Sequence, residues 1–486
     1  MKTMITSATI SLLCMVSILS VKAQQLNTLY FMDNMPVRNA LNPAFQPMNS
    51  FYLGLPVLGY TYLGIGNNSL TLKDVVYKQN GETIWFLNPA GDKDKFYKSL
   101  HSNTLLNTDL QLNLLSFGFR RGISYFTFGI TEKVDGQLSL PKEMMKLLLY
   151  GTPNPENNYF DFKNLNANAS VYTEAALGYS RIVNDRWTVG GKLKFLYGTA
   201  NVSTSNEYLD LNAGIEAWTL KGKGSINISS PAEVIVGDNL ESIDFNEPSS
   251  VNGWLKPSGM GAGIDIGFTY KTTERLTLSA ALIDLGMIRW NGNVKRVGYS
   301  VDYTFEGIAQ INNLDSVNME AFTDSLETAF KNSYTTEQAT HSFTTYTSPK
   351  LNIAAEYGFR NNKISVGMLS RTMKVKRNIY EELTASVNLK PGSAFNMSFS
   401  YSLTNGKMSN AGMAMGLRTG FIHWCLSGDY FSFNNAPLPL DEGDASVSSR
   451  KLPVPYKSKG VNLALSVNLV FGNKRRDIPK DLMPDY

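Results

Sequence analysis

The sequence predicts an all-β protein, an antiparallel transmembrane β-barrel of about 14 strands with an N-terminal plug and long outer loops that carry short helices. The first observation is a strict alternation of apolar and polar residues, as in segments 461–469 and 395–403. Successive strand residues point to opposite faces, so each segment has one apolar and one polar face. These segments run to about 10 to 14 residues, long enough to cross a bilayer at a tilt. A secreted β-sandwich or propeller is the alternative, but its strands would be shorter.

The lengths of the connections provide the second observation. Tight turns alternate with connections that are mostly long, among them 198–258 and 291–342. Outer-membrane barrels have short periplasmic turns and longer outer loops, so we place the tight turns in the periplasm. This gives about 14 strands. We interpret 207–229 and 295–306 as outer-loop hairpins or strand extensions. If 207–229 is instead a transmembrane hairpin, the number is about 16. The six tight turns lie at 120–122, 184–186, 272–274, 361–362, 390–393 and 418–420.

Aromatic residues provide the third observation, because they recur at the strand ends next to the tight turns. Amphipathic rings favour the boundary between membrane and water, where they form a girdle around a barrel. The ordinary preference of aromatic residues for strands is the alternative explanation for any single one of them. It explains less well why six of them occupy corresponding positions at the strand ends. The set consists of Tyr179, Trp187, Tyr270, Phe359, Phe421 and Phe471.

The first 23 residues have the pattern of a secretory signal peptide. Lys2 forms a short basic region, residues 5–21 are apolar, and Ala23 ends a cleavage site with Val21 at its −3 position. An N-terminal membrane anchor is the alternative, although the apolar stretch is short for a full span. Export and the barrel pattern together predict the outer membrane of a Gram-negative bacterium, with the barrel at 51–471.

Composition excludes several classes of function. Charged residues make up 18% of the chain and the net charge of +4 is scattered, so we expect no nucleic-acid partner. Two cysteines and three histidines are too few for a disulfide scaffold or a finger-type zinc site, and we expect neither a metal nor a cofactor. Because no spacing of serine, histidine and acid stands out, we expect no catalytic residue and no enzyme.

Residues 24–50 precede the first strand and have an unusual composition. Prolines from Pro36 to Pro47 oppose both helix and strand, yet Leu41 and Phe45 need burial. A barrel of this size without an insert would leave a wide aqueous hole. We therefore expect residues 24–50 to plug the barrel, with a periplasmic leader as the alternative.

The motif Asn42-Pro43-Ala44 carries a family resemblance. It resembles the N-terminal motif of FadL-type outer-membrane transporters and of PorV- and PorP-type barrels. Together with Gly-Leu-Pro at 54–56 and Asp-Leu-Gly-Met-Ile-Arg-Trp at 284–290, the pattern is similar to an uncharacterised family of Gram-negative outer-membrane proteins with a FadL-like barrel. The resemblance implies a hatch that enters the barrel and places this motif in the lumen.

Two features of the sequence depart from the FadL-type pattern. The fatty-acid-contacting residues of that family cannot be matched one by one, so the resemblance assigns no ligand residue. FadL-type chains also usually end at the aromatic residue of the last strand, whereas here residues 472–486 follow it. We expect this tail in the periplasm, either as a contact with a partner or as a solvated end.

Residues 141–150 predict a short amphipathic helix in an outer loop, with a proline at its start. Met144, Met145, Leu148 and Leu149 would form its apolar face. This face is a candidate surface for capturing apolar ligands. The alternative is a helix that packs on the rim of the barrel.

Two classes of function remain open. The first is a channel for small hydrophobic, fatty-acid-like molecules that is plugged by its own N-terminus. The second is a non-transporting interaction barrel, such as a secretion-system component or a surface scaffold, with a periplasmic or surface protein as partner. In both, the membrane lipid is itself a partner. An apolar tunnel would favour the first class, and a sealed polar lumen with a flat, ordered loop surface would favour the second.

Overall fold

Antiparallel pairing closes the sheet into a barrel in the computed structural model of the chain. β1 (Phe51–Gly54) and β2 (Val57–Asn67) together form the first wall strand and pair with the last, β24 (Gly460–Phe471). Phe51 lies opposite Phe471 at this closure. Counted over the described residues, the wall has 14 strands, so the predicted number is confirmed and the alternative of 16 is wrong.

The described part of the chain is interrupted by several gaps, and the expected signal peptide and nearly all of the expected tail lie outside it. In that part, no helix has the length and apolar character needed to cross a membrane. The structure describes residues 26–33, 35–79, 82–152, 158–214, 217–236, 243–246, 248, 250–254, 256–305, 334–375, 378–392, 394–404, 407–431 and 459–472.

The remaining wall strands follow one another in chain order, and each pairs antiparallel with its neighbours. They are β5 (Asn103–Arg121), β6 (Ser124–Pro141), β8 (Asn166–Ile182), β9 (Trp187–Ala213), β13 (Gly259–Lys271), β14 (Leu276–Trp290), β18 (Lys350–Phe359), β19 (Ile364–Val375), β20 (Asn378–Leu389), β21 (Phe395–Thr404), β22 (Lys407–Thr419) and β23 (Ile422–Phe431).

The other elements lie in the long connections, apart from two short 3₁₀ turns, Thr28–Phe31 and Pro36–Ala40, near the N-terminus. The strands are β3 (Val76–Gln79), β4 (Glu82–Trp85), β7 (Tyr159–Asp161), β10 (Trp218–Ser229), β11 (Glu233–Val236), β12 (Ile243–Asn246), β15 (Lys295–Phe305), β16 (Tyr334–Ala339) and β17 (Phe343–Tyr346). The helices are α1 (Leu72–Val75), α2 (Lys93–Ser99), α3 (Lys142–Tyr150) and α4 (Val251–Trp254).

Several strands continue beyond the wall at the end that carries the long connections. β9 has 27 residues, and its second half pairs with β10. Ala213 lies opposite Trp218 at one end of this pairing, and Asn201 lies opposite Ser229 at the other. β10 then pairs with β15, and β15 with β16. The part of the sheet that lies beyond the wall is called the extension sheet; it is formed by β7, the second half of β9, β10, β15 and β16. Within the described residues 207–214, 217–229 and 295–305, the interpretation as strand extensions is thereby confirmed.

All six predicted tight turns join neighbouring wall strands at the opposite end. Aromatic rings surround this end: the Trp187 and Tyr270 ring centroids are 4.6 Å apart, and Phe421 stacks on Phe471 at 6.2 Å. Trp187, Phe421 and Phe471 are exposed on the outer surface. This arrangement matches the predicted aromatic girdle.

Apolar side chains face outward and polar side chains face the lumen, as the alternation predicts. In β24, Leu463 and Leu465 are exposed, whereas Asn462 and Ser466 are buried. Val467 shares the outer face with its cross-strand neighbour Trp424 but is buried there. Its carbonyl oxygen accepts a hydrogen bond from the Leu55 N–H, at the interruption between β1 and β2.

Candidate functional site in the barrel lumen

The N-terminal segment, meaning residues 26–33 and 35–50, lies inside the barrel. Its buried apolar side chains are Leu26, Leu29, Tyr30, Phe31, Met32, Met35, Leu41 and Phe45. They pack against one side of the lumen, which we call the apolar wall. This wall consists of Tyr60, Tyr62, Ala354, Leu369, Ala414, Cys425 and Ala464.

The backbone of the segment is irregular, as its prolines predict. Met35 is extended before Pro36, which begins the second 3₁₀ turn. The amide of Asn39 then donates to the carbonyl oxygens of Pro43 and Phe45, at 3.1 and 3.2 Å. Side chains of the segment therefore supply hydrogen bonds that a regular helix or strand would otherwise make.

The motif Asn42-Pro43-Ala44 lies on the inner faces of β13 and β14. Asn42 is fully buried, and its Oδ1 accepts the N–H of Ala44 at 2.9 Å, which forms a compact turn. Its Nδ2 donates to the carbonyl oxygens of Phe268 at 3.4 Å and Ala280 at 3.3 Å. Asn42 therefore has two roles: its Oδ1 forms the turn of the segment, and its Nδ2 links the segment to the barrel.

Two glycines of the wall make room for this motif. A Cβ atom at Gly267 would overlap Oδ1 of Asn42 and lie 2.9 Å from Cδ of Pro43. A Cβ atom at Gly190 would overlap the Pro43 carbonyl and lie 2.7 Å from the Ala44 nitrogen. Glycine weakens a strand but permits close approach of another backbone, and here that backbone is the N-terminal segment.

Asp429 of β23 holds the far end of the segment. Its Oδ2 accepts the N–H groups of Asn27 at 2.6 Å and Thr28 at 3.4 Å, and its Oδ1 accepts the Thr28 hydroxyl. The Thr28 hydroxyl also lies 2.5 Å from the Ser400 hydroxyl. One buried carboxylate therefore satisfies both N–H groups that begin the first 3₁₀ turn.

Basic residues from three tight turns hold the near end. Nη1 of Arg120 donates to Oε1 of Gln46 at 2.7 Å, and Nη1 of Arg418 donates to Oδ1 of Asn49 at 3.1 Å. Lys390 contacts the carboxylate of Asp33. These three cations stand around the tight-turn mouth and point inward, so both ends of the segment are attached to the wall.

The ion pairs of Asp33 control its protonation. Burial alone would raise the pKa of Asp33, but Lys390 and Arg38 outweigh burial and hold the pKa at about 2, below the ordinary 3.8. Burial alone would lower the pKa of Lys390, but Asp33 and Glu356 raise it above its ordinary value. The contact between Asp33 and Lys390 is therefore a charged pair across the neutral pH range.

A second group of charges occupies the lumen on the β6–β18 side of the wall. We call Lys133, Glu174, Lys194, Asp265, Asp284 and Lys350 the charged cluster; its three cations and three anions balance. Nζ of Lys194 lies 2.7 Å from Asp284 and 2.8 Å from Asp265. Nζ of Lys133 lies 2.8 Å from Glu174, and Nζ of Lys350 lies 3.1 Å from Asp284. Mutual pairing offsets the cost of burying these charges.

Asp284 occupies the centre of this cluster because β14 is irregular there. Its φ is +58°, and the register between β13 and β14 shifts beside it. Aspartate tolerates this left-handed conformation better than most residues. The Asp284 N–H donates to Oδ1 of Asp265 at 2.7 Å, and Oγ1 of Thr347 donates to the Asp284 carbonyl at 2.6 Å. The bulge thereby turns a strand residue into a hub for charges.

A small cavity separates the N-terminal segment from the charged cluster. Its volume is about 110 Å³, and Val37 and Ala40 line it on one side while Lys133, Lys194 and Asp284 line it on the other. Such a volume suits a few water molecules, whereas ligand pockets usually hold about 300 to 1,000 Å³. With the segment in place, this cavity is too small for a fatty-acid-like molecule.

The four residues of the predicted capture surface lie on α3 and mostly point into the structure. Met145 and Leu149 pack in a cluster with Phe96. Met144 packs in a second cluster with Phe160. Leu148 alone of the four is exposed. Three of the four residues therefore pack against neighbouring elements of the long connections, and the capture surface stays a prediction.

Sequence reasoning did not identify the attachment residues or the charged cluster. A charged residue at an inward position of a predicted barrel strand could have indicated the cluster. Such positions are occupied by Lys133, Glu174, Lys194 and Asp265. Asp429 offered the same signal, because it follows the inward residues Cys425 and Ser427 at a spacing of two in β23. Among the described residues, no group of three or more histidine, cysteine, aspartate or glutamate side chains is arranged to hold a metal ion.

A closed antiparallel barrel with apolar outward side chains, an aromatic girdle and a polar lumen is an outer-membrane β-barrel protein. Here the lumen also holds the protein's own N-terminal segment. The chain belongs to the family of unknown function DUF5723, whose model matches residues 43–429. The expectation of an uncharacterised family is thereby confirmed.

Among solved structures, FadL-type barrels are similar to this chain. The toluene transporter TodX of P. putida is 10% identical, with a TM-score of 0.41 over 89% of this chain and 93% of that chain. A FadL homologue from Pseudomonas aeruginosa is 15% identical, with a TM-score of 0.39 over 93% and 99%. At these TM-scores the likenesses add nothing to what the strand pairing shows. No curated protein matches the sequence.

Proposed function

We propose that this protein is an outer-membrane channel for small hydrophobic molecules with an anionic group, fatty-acid-like in character, and that its N-terminal segment is the plug. The observation that carries the proposal is the attachment of that segment at both ends of the lumen, by Asp429 and by the basic residues at the tight-turn mouth. Both attachments are polar and reversible.

The chemistry of the lumen supports an amphiphilic substrate. Displacing the segment would uncover the apolar wall, which includes Tyr60, Tyr62 and Leu369. Across the cavity lies the amine of Lys192, which forms no ion pair within the described part of the chain, whereas Lys133 and Lys194 are already paired. An apolar chain would fit the first surface, and a carboxylate would fit the second by charge-assisted hydrogen bonds. The segment itself combines apolar side chains with polar ends in the same way.

The proposal includes the course of the chain through the membrane. Residues 1–23 would be removed on export, 24–50 would be the plug, 51–471 the barrel, and 472–486 a periplasmic tail. The tight turns would lie in the periplasm of a Gram-negative bacterium, and the extension sheet would lie outside the cell. The exposed Leu148 would be the part of α3 that meets an arriving hydrophobic molecule.

A second candidate is the interaction barrel, and the small cavity favours it. A lumen filled by the segment and by paired charges would suit a scaffold that conducts nothing. The extension sheet would then be the surface that binds a protein partner.

Planar-bilayer recording distinguishes the two candidates. Deleting residues 25–48, with the signal peptide and cleavage site retained, should leave a folded barrel with a larger and steadier conductance than the wild type. Native mass spectrometry of the deletion variant, supplied with a fatty acid or with an uncharged alkane of equal length, should show retention of the fatty acid. Equal conductance of wild type and variant would contradict the plug, and no preference for the fatty acid would contradict the proposed substrate.

A further inference from the structure

A groove of about 670 Å³ runs along the outer surface of the barrel near the tight-turn end. Its floor is Gly191, whose neighbours across the strands are Tyr179 and Ile266. A Cβ atom at Gly191 would meet only the Asp265 carbonyl oxygen, at 3.4 Å. Exposed apolar side chains form the sides of the groove: Phe119, Phe126, Leu177, Leu193 and Ile266.

Two arginines lie immediately beyond the groove on the same face. Arg121 pairs across the strands with Ser124, and Ser124 pairs with Arg181, so the three residues form one row. Both arginines are exposed, and neither forms an ion pair with any residue in the described part of the chain. The hydroxyls of Ser124 and Tyr179 are 3.1 Å apart and complete a polar edge.

Comparison with the adjacent Arg120 shows that the outward direction of Arg121 is unusual for a strand in a membrane. Successive strand residues face opposite sides, and Arg120 points inward to Gln46. Arg121 therefore points outward, where a strand in a membrane normally carries an apolar residue. The arginine row is two residues from the row of Phe119, Phe126 and Tyr179, about 7 Å along the strands. It belongs at the level of the lipid headgroups, next to the aromatic girdle.

The geometry points to a binding site for one anionic glycerophospholipid of the leaflet at the tight-turn end. An acyl chain would lie in the groove over Gly191, and the phosphate would accept hydrogen bonds from Arg121 and Arg181. Guanidinium groups bind phosphate oxygens by bidentate, charge-assisted hydrogen bonds, and two arginines would repel the cation of a choline headgroup, so an anionic phospholipid is favoured over a zwitterionic one. The site is on the outside of the barrel and is independent of the proposed transport.

Native mass spectrometry tests this site on the full-length protein in mixed micelles with equal amounts of phosphatidylglycerol, phosphatidylcholine and a free fatty acid. The wild type should retain one phosphatidylglycerol in preference to the other two. The double variant Arg121→Gln/Arg181→Gln should lose that preference by about tenfold or more. Arg275→Gln, which changes an exposed arginine of another tight turn, is the matched control and should behave as the wild type.

A second variant tests the groove separately from the charges. Gly191→Leu fills the floor while both arginines remain, so retention of phosphatidylglycerol should fall, and a heat-dependent shift in gel mobility should confirm that the barrel is folded. Unchanged retention in this variant would exclude the acyl chain from the groove. The site would be overturned if the double arginine variant kept the preference of the wild type. It would also be overturned if the wild type retained phosphatidylcholine or the fatty acid as readily as phosphatidylglycerol.

Discussion

Oδ2 of Asp429 accepts the backbone N–H of Asn27 at 2.6 Å, although the two residues are 402 positions apart in the chain. Asp429 is on β23, the wall strand before the last, so this contact joins the start of the described chain to its final hairpin. This contact can form only when β23 is in place in the barrel. Breaking it is the expected step towards an open lumen.

Replacing Asp429 with asparagine should weaken this attachment. The shape of the side chain is preserved, but a charged acceptor becomes a neutral amide. Hydrogen bonds to charged groups contribute about 1.5–3 kcal/mol and neutral ones about 0.5–1.5 kcal/mol. A loss of about 1.4 kcal/mol would raise the population with a displaced segment about tenfold. Single-channel recording of Asp429→Asn should show more frequent opening.

Asp302→Asn is the control for this substitution. Asp302 pairs with Lys221 in the extension sheet, and both side chains are exposed. This variant should record as the wild type. If Asp429→Asn opens no more often than Asp302→Asn, the contact with Asn27 does not hold the segment in place.

Gly267→Val should displace the Asn42-Pro43-Ala44 turn. Any Cβ atom at Gly267 overlaps Oδ1 of Asn42, and such overpacking costs about 1–3 kcal/mol. In an Ala44→Cys, Cys425→Ser background, a water-soluble thiol reagent should label Cys at position 44 about tenfold faster when Gly267 is Val. Gly136→Val, where the nearest atom is 3.7 Å from the added Cβ, should leave the labelling rate unchanged.

Asp284→Asn should destabilise the folded barrel. Asparagine also tolerates a positive φ, so the bulge is retained while the charge that Lys133, Lys194 and Lys350 share is lost. Removing one partner of a buried ion pair costs about 3–5 kcal/mol. Urea unfolding in detergent should therefore show a lower midpoint. A change no larger than that of an exposed pair, roughly 0–1 kcal/mol, would show that the cluster contributes little to stability.

Acid should release the near end of the segment. The pKa of Asp33 is about 2 in the docked state, below the ordinary 3.8, so its carboxylate stabilises docking fully above about pH 4 and loses this effect as the pH falls towards 2. Conductance of the wild type should rise below pH 4, and this step, unlike any change between about pH 5 and 8, should depend on Asp33. Asp33→Asn should lack this step and conduct more at neutral pH. An identical acid response in both proteins would assign the effect to other carboxylates.

The strand architecture could be predicted because it depends on local patterns. Alternation in 461–469 identifies the faces of β24, and tight turns such as 120–122 identify neighbouring strands, because a short turn leaves the next strand no other place to pair. These two rules led to about 14 strands, and the aromatic residues at the strand ends led to the girdle. The Asn-Pro-Ala motif also drew attention to a segment that the structure places in the lumen.

The sequence by itself determined which residues face the lipid and which face inward, since side-chain direction in a strand has a period of two. Only the tertiary structure decided which inward side chains meet. Lys133 and Lys350 share Asp284 because the tilt and register of several strands bring them to one depth in the barrel. Asp429 reaches Asn27 because the barrel closes around the chain's own beginning. Contacts of this kind depend on the packing of distant segments, and the alternation within any one strand carries no information about them.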